Sequence, residues 1–117
     1  MANHSDDFLK LAADAKSRIR QVSPVEAEQL VDQGALLLDV RERDEFERGH
    51  LEGATHMSRG ILEMHIGELA ASKATPIVCY CGGGNRGALA AESLQRMGYT
   101  QVVSIEGGLA ACNTQKD

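Results

Sequence analysis

Apolar and polar positions along this chain follow two periods, and the switches between them mark out its elements. Phe8, Leu11, Ala12, Ala15 and Ile19 recur at helical spacing, which predicts an amphipathic helix over residues 1 to about 18. Ser23-Pro24-Val25-Glu26 reads as a second helix start, with Ser23 as N-cap, Pro24 in the first turn and Glu26 placed for a capping box. That helix should run to about Asp32 and stop at Gly34. The apolar run over residues 35–40 predicts a buried strand, residues 44–48 a short helix, 54–56 a short strand and 60–71 a helix. A strand over 76–80, a helix over 87–97 ended by Gly98, a strand over 101–104 and a helical turn after Gly107-Gly108 complete the pattern. Strands alternating with helices imply parallel pairing with helices on both faces of one sheet. Ligands of such sheets bind beyond the carboxyl ends of the strands.

At 117 residues the chain is one domain, divided into an N-terminal helical extension, 1–18, and a main domain, 19–117. Aromatic residues are only 3% of the chain, so Leu, Val, Ile and Ala must fill the core. A formal charge of -5 argues against nucleic acid or an anionic membrane as the main partner. The first ten residues hold no long apolar run, so neither a secretory signal nor a spanning helix is expected, and a cytoplasmic location is the default. Three cysteines make no disulfide framework and are expected as thiols.

The chemistry gathers where the strand ending Ile77-Val78-Cys79-Tyr80 meets Cys81, then Gly82, Gly83, Gly84, Asn85, Arg86 and Gly87, before a helix begins. Strand, glycine-rich loop and helix aim the free N–H groups of a first helical turn at the loop, and the helix dipole adds positive potential there. Glycines let successive amides turn inward as an anion-binding nest. A cysteine at its centre is a thiol in an anion cradle, favoured as a negatively charged sulfur and reinforced by Arg86. Alone, a strand-end cysteine is more often a small buried hydrophobe and a glycine run a turn; the combination moves the balance to function. Cys79, two residues earlier, is either a resolving thiol or core filler beneath the loop, and extended i, i+2 cysteines seldom bridge. Cys112 has the same two readings. No paired ligand spacing of the kind zinc needs joins these cysteines to a histidine, so no metal is expected.

Asp39 and Arg41 end another strand, near the same rim. Arg41 is a candidate for drawing in an anionic substrate, or else braces a loop with Asp39. Only four residues separate Cys81 from Arg86, one fewer than in cysteine phosphatases. A ring that small suits a sulfur atom attached to Cys81 better than a tetrahedral phosphate.

The loop resembles that of the rhodanese family. Leu36-Leu37-Leu38-Asp39-Val40-Arg41-Glu42, then Glu45-Phe46 and Gly49-His50-Leu51-Glu52-Gly53-Ala54, is similar to the first signature of that family. Gly98-Tyr99, Val102-Val103 and Glu106-Gly107-Gly108-Leu109-Ala110-Ala111 resemble its C-terminal signature. Glu52 replaces the usual proline, and Cys112 stands where the family normally has tryptophan. His50 is a signature residue, read as structural. The stretch from His56 to Glu63 resembles one branch of single-domain members, with Arg59 either at the active-site mouth or solvated.

The resemblance implies an α/β rhodanese-like fold: a central parallel sheet of about five strands with helices on both faces, plus the extra N-terminal helix. It implies a thiosulfate sulfurtransferase that moves sulfane sulfur through a persulfide on Cys81 to cyanide or a thiol. Residues 82–87 would bind that persulfide, with no metal or organic cofactor. Partners would be a small sulfur donor and acceptor, or a protein donor or acceptor. Alternatives are a non-catalytic docking module, a phosphatase or arsenate reductase on the same fold, and a sulfur carrier loaded by a cysteine desulfurase.

Overall fold

The computed structural model describes residues 4–115. Five strands, β1 (Arg20–Val22), β2 (Leu36–Asp39), β3 (Thr55–His56), β4 (Ile77–Tyr80) and β5 (Val102–Ile105), form one sheet in the order β1-β5-β4-β2-β3. Every pairing is parallel, with Leu37 opposite Val78 and Val78 opposite Val103. The helices are α1 (Asp6–Arg18), α2 (Pro24–Asp32), α3 (Arg43–Glu47), α4 (Leu62–His65), α5 (Asn85–Arg96) and α6 (Gly108–Gln115). Strand period 2 divides the core in two. Leu38, Ile77, Cys79, Cys81 and Val102 pack with Leu62, Ala90 and Leu94 on one face. Leu37, Val78, Tyr80, Val103 and Ile105 pack with Ala27 and Cys112 on the other. Among the described residues no helix is long and apolar enough to cross a membrane.

Local chemistry accounts for the helix ends. Ser5 accepts the Phe8 N–H at 3.1 Å, and Asp6 and Asp7 at the start of α1 with Lys16 and Arg18 at its end complement the dipole. Ala12 and Ala15 are buried, and small side chains there let α1 lie close on α5. Arg18 binds Glu92 at 3.0 Å, and the Gln95 amide donates to the Arg18 carbonyl at 3.1 Å. Ser23 caps α2 by accepting the Glu26 N–H, while the Glu26 carboxylate pairs with Arg20 instead of closing a capping box.

Four expectations are corrected. The first helix begins at Asp6, and residues 1–3 of the expected span lie outside the described residues. The helix expected over 60–71 is a single α turn, α4, between two 3-10 turns at Arg59–Ile61 and Ile66–Glu68. Gly60 and Gly67 weaken a continuous helix, whereas Leu62, Ile66 and Ala70 need only recur every fourth residue to stay buried. Helix α5 begins at Asn85, two residues early, because Gly84 is its cap. Strand β1 was not expected at all: of its three residues only Val22 is buried, too little for a period to register.

One further placement overlaps function. Arg41, a candidate for attracting substrate, is 6% exposed and turned inward. Its Nε and Nη2 donate to both carboxylate oxygens of the fully buried Asp39 at 2.7–3.1 Å, and Nη2 also reaches the Gly49 carbonyl at 2.7 Å. The Arg41 carbonyl meets His56 Nε2 at 2.8 Å. Burial pushes the Asp39 carboxyl up, but hydrogen bonds from Arg41 and Tyr80 outweigh it and hold it below its usual range. The pair thus joins the end of β2 to the segment after α3 and to β3. Asp39→Ala strands a buried guanidinium and should lose on the order of 3–5 kcal/mol, read from urea unfolding; a loss below about 1 kcal/mol would show that the pair braces nothing.

Candidate active site

Cys81 follows the last residue of β4, at the carboxyl edge of the sheet, and is 1% exposed at the base of its loop. The Gly84 N–H donates to Cys81 Sγ at 3.1 Å. Gly84 is in the left-handed region, with φ 110°, and caps α5, so that its carbonyl accepts the Ala88 N–H at 3.1 Å. One glycine thereby turns an amide onto the sulfur and starts the helix whose dipole points there.

The carbonyls of the loop face the other way. Cys81 O accepts the Leu109 N–H at 2.8 Å, and Gly82 O accepts the Ala110 N–H at 3.1 Å. The first turn of α6 therefore takes these two acceptors, and trans peptide geometry turns the Gly82 and Gly83 N–H groups away from α6. Gly108 makes this approach feasible: a Cβ there would lie 2.4 Å from Cys81 O. Gly87 is equally constrained from below, where a Cβ would sit 2.9 Å from Ser104 Oγ. The Ser104 hydroxyl is fully buried and has no hydrogen-bond partner among the described residues.

The expectation that all three loop glycines serve conformation narrows to one. Gly84 alone of the three has a positive φ, and a Cβ there would press on Gly107 N at 3.2 Å. At Gly83 a Cβ would meet open space, and at Gly82 it would touch only Arg86 Nη2 at 3.6 Å. Asn85 is the first residue of α5 and half-buried.

Arg86 points along the loop to α3. Its Nη1 and Nη2 bind the two carboxylate oxygens of Glu45 at 2.7 and 3.0 Å. That fork pulls the Glu45 carboxyl from 4.5 down to about 2, chiefly through the Arg86 hydrogen bonds. Glu45 also accepts the Glu42 N–H at 3.0 Å, so one carboxylate caps α3 and holds the loop. Its pairing with Arg86 carries no local sequence signal, because the partner lies 41 positions away.

The remaining candidates separate cleanly. Cys79 shares the face of Cys81 but is wholly buried, and burial pushes its thiol up to about 12. A thiol so held does not ionise at neutral pH, which places Cys79 with the core. Cys112 lies on the opposite face of the sheet. Arg59 is half-buried at the end of β2, where its N–H donates to Val40 O at 3.0 Å. Its guanidinium binds Glu63 at 2.7 Å, and Glu63 accepts the Ser93 hydroxyl at 2.6 Å. His50 stacks on Phe46 at 3.7 Å and reaches the Phe46 carbonyl, a structural position. Among the described residues no three His, Cys, Asp or Glu side chains converge as metal ligands.

Comparison with known proteins agrees with this geometry. The family model described as rhodanese-like domain matches residues 23–115. The chain is 32% identical over 98 residues to the thiosulfate sulfurtransferase GlpE of Pseudomonas syringae, covering 84% of this chain and 91% of that one. Among solved structures it superposes with a TM-score of 0.83 and 30% identity on a Rhodopseudomonas palustris protein described as of unknown function and a possible tyrosine phosphatase, covering 99% of this chain and 96% of that one. It superposes with a TM-score of 0.78 and 28% identity on the polysulfide-sulfur transferase homodimer of Wolinella succinogenes, covering 94% and 84%. With the family matched over residues 23–115 and the five-stranded parallel fold shared over nearly the whole described chain, this protein belongs to the rhodanese-like family and is an enzyme of the sulfurtransferase type.

Proposed function

We propose that the protein transfers sulfane sulfur from thiosulfate or a similar donor through a persulfide on Cys81 to cyanide or a thiol. The observation that carries this reading is the Gly84 N–H on Cys81 Sγ at the bottom of a loop whose Cys81 and Gly82 carbonyls are turned to α6. In the first step the Cys81 thiolate attacks the outer sulfur of thiosulfate. A new S–S bond forms, the donor S–S bond breaks, and sulfite leaves with the bonding pair. In the second step the acceptor attacks the outer sulfur, taking it as thiocyanate or as a new persulfide and restoring the Cys81 thiolate. The loop amides stabilise the anionic sulfur in both steps, because they are fixed before the charge arrives. Arg86 acts by holding the loop to α3 through Glu45. The short loop between Cys81 and Arg86 supports sulfur over phosphate as its occupant.

Intact mass after brief thiosulfate exposure without reductant tests the relay directly. Wild type should gain one sulfur atom that cyanide removes, Cys81→Ser should gain none, and Cys79→Ser should behave as wild type. Sulfur retained on Cys81→Ser would refute the assignment. In the loop, Gly84→Val should slow transfer by about a hundredfold, in the range for loss of one preset donor, while Gly83→Ala should be far milder. Equal effects at the two glycines would contradict the geometry.

The Glu45 clamp sets an acid limit. Its carboxyl lies lower in the folded chain than its ordinary value, so its contribution is complete above pH 4.5 and is lost as pH falls to about 2. Urea unfolding in steps across that window should show Glu45→Gln less stable than wild type at neutral pH but losing less on acidification. Parallel curves for the two proteins would mean that the ion pair does not hold the loop.

A further inference from the structure

On the sheet face away from Cys81, a cavity of about 640 Å³ opens between α2, α6 and the segment entering β3. Its floor is apolar: Leu37 of β2 and Ile105 of β5 reach it through the layer, with Cys112 of α6 beside them. Val25 of α2 lines it while 53% exposed, a large apolar side chain left facing water. Every charged residue of the lining is acidic. Glu28 and Asp32 stand one turn apart on α2, and Glu52 enters from the segment before β3.

None of these three carboxylates has an ion-pair partner among the described residues. Elsewhere on the surface Asp14, Glu26, Asp44, Glu47 and Glu92 each face an arginine, while Asp6, Asp7 and Glu106 are also unpaired among the described residues; what sets the groove apart is that its three carboxylates ring an apolar floor. Carboxylates without partners, supplied by two separate elements around an apolar floor, would each be matched by a different cation. A small monocation would satisfy only one of them. An amphipathic helix with an apolar stripe bordered by Lys or Arg satisfies all three and covers Val25.

We propose that this groove docks a basic amphipathic helical segment of a partner protein. The site is separate from the Cys81 loop, but α6 links them: its first turn holds the Cys81 and Gly82 carbonyls, and Cys112 on the same helix lines the groove. A partner seated there lies alongside the helix that sets the loop. The inference stands on the groove alone and does not depend on which sulfur donor the enzyme uses.

The test uses the full chain and a synthetic helix of about four turns, with Leu at i, i+3, i+4 and i+7 flanked by Lys. A second peptide has the same Leu stripe flanked by Glu. Amide shifts on titration should centre on Val25, Glu28, Leu51 and Cys112 for the Lys peptide, and affinity should fall with salt. Glu28→Lys/Asp32→Lys should weaken binding at least about tenfold while sulfur transfer is unchanged. Glu52→Lys, in a loop, supplies an independent loss should the double variant misfold. Absence of binding, equal binding of the Glu-flanked peptide, or shifts centred on α1 and α5 would overturn the proposal.

Discussion

The active loop depends on one arrangement of backbone: the carbonyls of Cys81 and Gly82 are bound by the Leu109 and Ala110 amides. A peptide unit has its donor and acceptor on opposite sides, so fixing the acceptors outward leaves the donors inward. The cradle around Cys81 is therefore made as much by α6 as by the glycines of the loop itself. Gly108 is the residue on which this rests, because any side chain there would occupy the space of the carbonyl it must approach. The parallel sheet supplies the rest of the frame. It brings the end of β4 and the turn after β5 to the same edge, so loop and α6 meet without a long connection.

Cations near the site are largely neutralised. Arg86 is forked onto Glu45, Arg41 onto Asp39, and Arg59 onto Glu63. On a chain of net charge -5, positive potential at Cys81 then comes from backbone amides and a helix dipole, which are short-ranged. Gly83 is exposed, and a Cβ there would meet open space. The arginines serve geometry: Arg86 ties α5 to α3, Arg41 ties the end of β2 to the segment after α3, and Arg59 pairs with Glu63, whose carboxylate reaches α5 through Ser93.

Much of the fold was legible because burial in a parallel sheet leaves a plain record. Ile77 to Tyr80 and Leu36 to Asp39 are nearly continuous apolar runs, since both faces of these strands are covered. Ser5 and Ser23 announce helices that their side chains then cap. Two elements were harder to read: β1 buries a single side chain, and residues 59–68 keep Leu62 and Ile66 at helical spacing yet break into single turns. Which of the two readings of Arg41 holds was not legible, because a strand-end arginine looks alike in sequence whether it faces water or Asp39.

Sequence alone determined that this is a rhodanese-like α/β chain with a thiol at a strand end and a glycine-rich loop before a helix, because those features are local. They depend on periodicity, caps and the order of a dozen neighbouring residues. Tertiary structure decided which glycine is conformationally required, that Glu45 holds Arg86, and that Gly108 seats α6 against the loop. It also decided that an apolar groove with unmatched carboxylates lies on the far face of the sheet. Each of these joins residues far apart in the chain, and such contacts are set by how helices and strands stack, which no local pattern records.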